Sequence, residues 1–278
     1  MTASNQDLLN LVNASGFLFQ LRVEQEITST EPKHGKAVLA REHPWVHPVT
    51  RDEGFIDLIT TAGTNGKIIF ECKRLRDAEW VFLIDPSAKP TASAWIIWRK
   101  RLSEDRRASA WDEFSLKRQS LEAEFCVVRG QADMQVPMLE RLAAIVLASV
   151  EALANDETAY PQEVGWTGVR FYFPAIVTTA RLFVCRADPS TIDLTLGELK
   201  DAVFEEVPYI RFTKSLPTTL GSSMLPANVP EAARESRRTV FVVNASHLTP
   251  FLTGEWEFDP PWDGVSWPWN FPKWKEDH

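Results

Sequence analysis

Two runs decide how this chain reads: Gly54-Phe55-Ile56-Asp57-Leu58-Ile59 and, shortly after it, Lys67-Ile68-Ile69-Phe70-Glu71-Cys72-Lys73-Arg74. Each is an apolar run of strand length with an acid in its middle, and the second adds a lysine two residues on. Along a strand, i and i+2 share a face, so Glu71 and Lys73 point together while Phe70 and Cys72 point to the other side. Acids set among Ile, Leu and Phe are costly unless they pair or hold a cation. The connection Thr61–Gly66 makes the two strands a hairpin, and two registers are open. A two-residue Asn65-Gly66 turn pairs Thr64 with Lys67 and sets Asp57 opposite Arg74, on the side away from Glu71. A three-residue Thr64-Asn65-Gly66 loop, with the glycine left-handed, sets Asp57 opposite Lys73 and makes Asp57, Glu71 and Lys73 converge. In that second register two carboxylates and one backbone carbonyl suit a hard divalent cation such as Mg²⁺, with waters completing its octahedron. Such a cation orients and acidifies a bound water and neutralises charge developing on a phosphodiester, while Lys73 positions that water and stabilises the phosphorane.

Upstream, Ser4 or Asn5 caps a first helix whose Leu8, Leu9, Leu11 and Val12 form its expected buried side. After Gly16, helical spacing resumes over Phe17–Ile27, with Phe17 and Leu21, and Phe19 and Val23, as inward candidates, and Glu31–Pro44 reads as a loop. Short β-type runs follow at Val46–Thr50, Phe55–Thr61, Lys67–Leu75 and Trp80–Ile84. Downstream, Pro137 opens a helix to about Ala154 with Leu139, Leu142, Val146, Val150 and Leu153 on one stripe. Further strands are expected at Phe125–Val128, Phe171–Thr178, Leu182–Arg186, Tyr209–Phe212 and Thr239–Asn244.

A helix, a strand, an Asp-bearing strand and a Glu-x-Lys strand together resemble the PD-(D/E)xK nuclease superfamily, the restriction-endonuclease-like fold. Gly16-Phe17-Leu18-Phe19-Gln20 is likewise similar to the Gly-x-x-Phe-Glu start of the first helix in type IV and related restriction enzymes, with Gln20 where the family has glutamate. The resemblance implies an α/β fold with an αβββαβ core, a mixed central sheet flanked by helices. It implies Mg²⁺-dependent cleavage of DNA, with Mn²⁺ an acceptable substitute, in bacterial defence or DNA repair. Asp57 is then the first metal-binding acid, Glu71 the second, Lys73 the catalytic lysine, and the Cys72 backbone carbonyl a further ligand. Gln20 departs from the pattern, and Glu24, one turn later, is the candidate to take over the supporting role. A catalytically inactive module that binds nucleic acid or a protein through the same fold is the alternative.

The 278 residues carry a net charge of −8 with 44% hydrophobic and 24% charged positions, which excludes a disordered tail, a collagen-like repeat and a disulfide-stapled scaffold. An acidic chain meets DNA only through local basic patches. Arg74 and Arg76 beside Lys73 form one; Arg99, Lys100 and Arg101, near Trp95 and Trp98, form another, which equally reads as a solvated helix face. Arg129-Gly130-Gln131 reads as a strand-to-helix turn, and of the histidines, none of which shows ligand spacing, His47 is the one nearest the Asp57 strand. The odd cysteine count, Cys72, Cys126 and Cys185, indicates reduced thiols in a cytoplasmic protein. Polar Met1–Asp7 offers no secretion signal, and the apolar Leu139–Ala154 carries Arg141 and Glu151 and is too short to span a bilayer, so no membrane partner is expected. Residues 1–254 are expected to form a single nuclease-like domain with an insertion at about 86–121 and additional C-terminal strands. Residues 255–278, where Trp256, Trp262, Trp267, Trp269 and Trp274 alternate with prolines, read as a Trp/Pro-rich strap packed on its own core. DNA is the expected partner, with room for a homodimer or a protein partner.

Overall fold

The computed structural model describes residues 4–63, 65–76, 78–101, 107–129, 137–156, 169–223 and 225–254, with no side-chain description at 101 and 107. The Trp/Pro-rich strap, Gly130 and Gln131 therefore lie outside the described residues. The protein is a mixed α/β structure in which a mixed sheet is flanked by helices.

Helix α1 (Asn5–Ala14) opens with a capping box: Ser4 Oγ accepts from the Asp7 N–H, and the Asp7 carboxylate accepts from the Ser4 N–H. Its apolar residues are not buried as the sequence predicts. Leu8, Leu9, Leu11 and Val12 are all about half or more exposed, and nothing among the described residues covers them. Helix α2 (Phe17–His34) runs about two turns further than its periodicity suggests, closing on left-handed Gly35 at φ 63°. Its inward stripe is Phe19, Gln20, Val23, Ile27, Thr30 and His34, while Phe17 and Leu21 point to solvent.

Strand β1 (Val38–Val46) occupies much of the expected loop. Pro44 is tolerated there because β1 is the sheet edge, where a missing N–H breaks no ladder. It pairs antiparallel with β2 (Glu53–Ala62), and β2 pairs antiparallel with β3 (Gly66–Lys73). Past β3 come β4 (Glu79–Ile84), a long hairpin of β5 (Thr91–Arg101) and β6 (Arg107–Ser120), and then β7 (Glu122–Ala123) and β8 (Phe125–Val128). The segment expected as an insertion contributes β5 to the central sheet. Helix α3 (Met138–Asp156) then crosses to β9 (Val169–Thr178), which lies parallel to β3 with Lys73 beside Thr178. Every residue of β9 is buried, Arg170 and Thr178 included, and the apolar run Phe171–Val177 between them suits a central strand. The far edge of β9 is shared: its first half pairs with β5, its second with β13 (Arg237–Asn244). Between β9 and β13 in sequence lie β10 (Arg181–Arg186), β11 (Val203–Glu206), β12 (Tyr209–Ser215) and α4 (Val229–Glu235), the last capped by the Asn228 side chain, which accepts from the Glu231 N–H. Strands β11, β10, β4 and β8 form a second, four-stranded sheet.

Two apolar layers clamp the central sheet. On one face α3 packs Leu139, Leu142, Val146, Val150 and Leu153 on Ile59, Ile69, Ile176 and Val242. On the other, Phe19, Val23 and Ile27 of α2, with Leu248, Phe251 and Leu252 of α5 (Leu248–Thr253), cover Leu58, Phe70, Val177 and Phe241. Each fully buried Leu, Ile or Phe contributes about 1.5–3 kcal/mol, so the sheet is held firmly between them.

The hairpin register follows neither predicted turn. Ala62 pairs with Gly66 around a loop of residues 63–65, and Gly63, not Gly66, takes the left-handed conformation at φ 64°. The register has slid by two residues from the three-residue reading, which preserves which side chains share a face. Gly66 is required for a different reason: a Cβ there would collide with the Ala62 carbonyl. Gly66→Ala is therefore expected to lower stability by about 1–3 kcal/mol in urea unfolding; unchanged stability would show that the hairpin tolerates another closure.

Candidate functional site

The β2–β3 ladder ends at Leu58–Phe70. One step further, the same register sets Asp57 opposite Glu71, and the β1–β2 register sets Glu42 opposite Asp57. Three carboxylates thus form one rung across three neighbouring strands. Like charges placed directly opposite repel, and local structure answers them. The Asp57 Oδ2 accepts a 2.6 Å hydrogen bond from the Cys72 N–H. Gln20 Nε2, one turn into α2, donates to Glu42 Oε1 at 2.5 Å and to the Asp57 carbonyl at 3.1 Å. Glu42 sits at φ 48°, in the left-handed region a glutamate rarely occupies.

In a strand the N–H and C=O of one residue project to the same side. The Cys72 N–H faces Asp57, so its carbonyl faces the same opening beyond the ladder, whereas Lys73 O accepts from Thr179 N on the β9 side. A cleft of about 760 Å³ opens here, walled by Gln20, Glu42, Asp57, Glu71 and Lys73 and by the α1–α2 junction at residues 14–17. Phe55, Arg74 and Arg76 complete its rim, and Arg74 donates to the Asn13 carbonyl at the C-terminal end of α1. That contact lays positive charge on a helix C-terminus and fixes α1 against the end of β3.

Burial and neighbouring carboxylates raise both central acids above their ordinary values. Asp57 rises from 3.8 to about 6, chiefly through desolvation, with Glu42 pushing the same way and the Cys72 N–H and Lys73 opposing. Glu71 rises from 4.5 to about 7 through desolvation and then the Asp57 charge, with Lys73 opposing. The Glu71 carboxylate makes no hydrogen bond or ion pair among the described residues. Such an acid has no partner among the described residues, and a cation is one group that would supply it. The donor set fits Mg²⁺: carboxylates of Asp57 and Glu71 and the Cys72 carbonyl are hard oxygens. Among the described residues no three His, Cys, Asp or Glu side chains are grouped closely enough to hold a metal ion by themselves.

Other candidates fall elsewhere. Glu24 does not line the cleft; it forms an exposed ion pair with Arg41 at 3.3 Å, and Glu42 is the acid that Gln20 actually holds. Arg99 is 4% exposed and sits in a strand, so it is not a surface phosphate grip. Lys100 is half-buried beside it, and the Arg101 side chain is outside the described residues. The run also lies at the wrong end of the sheet. Arg99 pairs with Arg170, Glu71 with Ile176, and six residues of strand span roughly 20 Å. Arg129 forms an ion pair with Glu79 at 2.9 Å in the second sheet. His47 is buried against Glu151 of α3 at 3.2 Å and contributes to the core instead. Glu42 was hidden because a Pro- and His-bearing segment reads as loop. The one available signal was its position four residues before Val46 in a run that alternates weakly.

Compared with protein-family models, curated proteins and solved structures, the chain finds no match in any of the three. The three cysteines are free, and no helix among the described residues is long and apolar enough to cross a membrane.

Because the folded state holds the Asp57 and Glu71 protons more tightly than the unfolded chain, it binds more protons between about pH 4 and pH 7, and stability falls as pH rises through that window. Glu71→Gln removes part of the penalty. Without divalent cations at about pH 8 it is expected to be more stable than the parent by about 1–2 kcal/mol after solvent screening, with the gap closing near pH 4. Thermal unfolding at the two pH values checks this, and a variant no more stable at the higher pH contradicts it.

Proposed function

We propose that this protein is a Mg²⁺-dependent nuclease that hydrolyses DNA phosphodiesters on the PD-(D/E)xK plan. The observation that carries this is the shared cleft of Asp57, Glu71 and Lys73, with the Cys72 carbonyl directed to the same opening. Support also comes from the order of elements. α2, β1, β2, β3, α3 and β9 follow the αβββαβ sequence, with the Asp on the second strand and Glu-x-Lys on the third. The Gln20 departure is met by Glu42, which the amide ties to the rung and which keeps an acid beside the pair.

A bound divalent cation supplies an acidified water and neutralises charge on the phosphate. The chain does the rest. Asp57 is held by the Cys72 N–H so that its second oxygen faces the opening. Lys73, on the face of Glu71, orients the water for in-line attack and stabilises the charge on the phosphorane oxygens. A water oxygen bonds phosphorus, its proton passes to solvent, one P–O ester bond breaks, and the departing oxygen takes a proton. Arg74 and Arg76 hold the neighbouring phosphates.

Supercoiled plasmid incubated with Mg²⁺ is expected to be nicked or linearised. Lys73→Ala and Asp57→Asn should each lose roughly 100-fold or more while unfolding as the parent does. DNA binding without cleavage by the parent, at any divalent cation, would favour the inactive module and overturn hydrolysis.

A further inference from the structure

We infer that the strand this cleft takes is unpaired, with Phe17 and Phe55 stacking on the bases of single-stranded DNA while Arg74 and Arg76 meet its phosphates. The scissile bond rests on the hydrolase reading above; the recognition chemistry rests on different residues.

Phe17 is 66% exposed and Phe55 60% exposed, and both line the cleft that holds Asp57 and Glu71. Neither belongs to a loose loop: Phe17 opens α2, and Phe55 lies in β2 two residues before Asp57, on the face that strand alternation shares with it. What sets these two rings apart from other exposed apolar residues is their place: both are offered to water from ordered elements at the rim of the cleft that holds the acids, where a flat apolar group could cover them. An unpaired base does that, and every base has a π-face, so such contacts tolerate any sequence.

Charge points the same way. The cleft holds the cations Lys73, Arg74 and Arg76 against the acids Glu42, Asp57 and Glu71. One of the arginines already serves the Asn13 carbonyl. A duplex grip draws on roughly 6–10 phosphate contacts, and the basic run at Arg99–Arg101 is at the far end of the sheet. Affinity must therefore come from base faces, which a duplex hides inside its stack.

Fluorescence anisotropy with a labelled oligothymidylate, and with the same strand annealed to its complement, tests this in Ca²⁺. Single-strand binding tighter than duplex is expected. Phe17→Leu with Phe55→Leu should weaken it roughly 10-fold or more, and the corresponding Phe→Trp pair should retain it. Leucine keeps the apolar area but has no π-face, so a merely structural role would not separate the two pairs. The salt dependence should be shallow, with a slope of about −1 to −2 from two phosphate contacts. Duplex bound as tightly as single strand, or no difference between the leucine and tryptophan pairs, overturns the inference, as does failure to bind either probe. Lys73-dependent cleavage of duplex would then leave the hydrolase reading standing, whereas single-strand binding without cleavage of any DNA would sink that reading alone.

Discussion

The structure is organised around one unfavourable interaction: Glu42, Asp57 and Glu71 face each other across three adjacent strands at the point where the ladder ends. Two carboxylates about 5 Å apart repel by roughly 3 kcal/mol at an effective dielectric of 20. No flexible loop would hold such a rung, because small rotations would relieve it. A sheet clamped by α3 on one face and by α2 and α5 on the other denies those rotations. The charge is instead taken up where it arises, by the Gln20 amide, the Cys72 N–H and the nearby Lys73, and by protons retained on Asp57 and Glu71.

A second polar cluster, deep in the core, aligns the first. Glu151 of α3 accepts from Trp111 Nε1 at 2.7 Å, from the Thr219 hydroxyl at 2.7 Å and from the N–H groups of Thr219 and Leu220, and lies 3.2 Å from His47. Its five partners satisfy a carboxylate that burial would otherwise make very costly. His47 also accepts through Nδ1 from Thr50 N, and its own N–H donates to Asp52 O across the β1–β2 turn. The turn that fixes the β1–β2 register is therefore pinned to α3, and that register is what sets Glu42 opposite Asp57. A histidine that sequence reading places near the site acts on it through backbone alignment and not through its ring nitrogens.

The parity of the Glu-x-Lys strand was legible, because strand alternation depends only on counting. So were the α3 stripe and the burial of β9, which need nothing beyond apolar spacing. The hairpin register was not, since Gly63 and Gly66 compete for the left-handed position and only three-dimensional closure decides between them. The site survived because the slip was an even number of residues. Glu42 was illegible because a proline in an edge strand looks like a loop. Burial of the α1 leucines was misread because amphipathic spacing predicts a face to be covered, not what covers it. The Arg99–Arg101 run failed for a topological reason: sequence separation does not reveal that β5 meets β9 at the end remote from Glu71.

Charge balance within the cleft also orders events on the proposed reading. Glu42, Asp57 and Glu71 match Lys73, Arg74 and Arg76 in number, so a phosphodiester arrives at a site with no net positive charge to attract it. Protons on Asp57 and Glu71 relieve the repulsion below about pH 6–7, but a protonated carboxylate is a poor ligand. A divalent cation held by Asp57 and Glu71 would do both tasks at once, displacing the retained protons and leaving the cleft attractive to phosphate. On that reading cation binding would precede productive binding of the strand, and stacking on the exposed Phe17 and Phe55 would supply affinity that the balanced charges of the cleft do not.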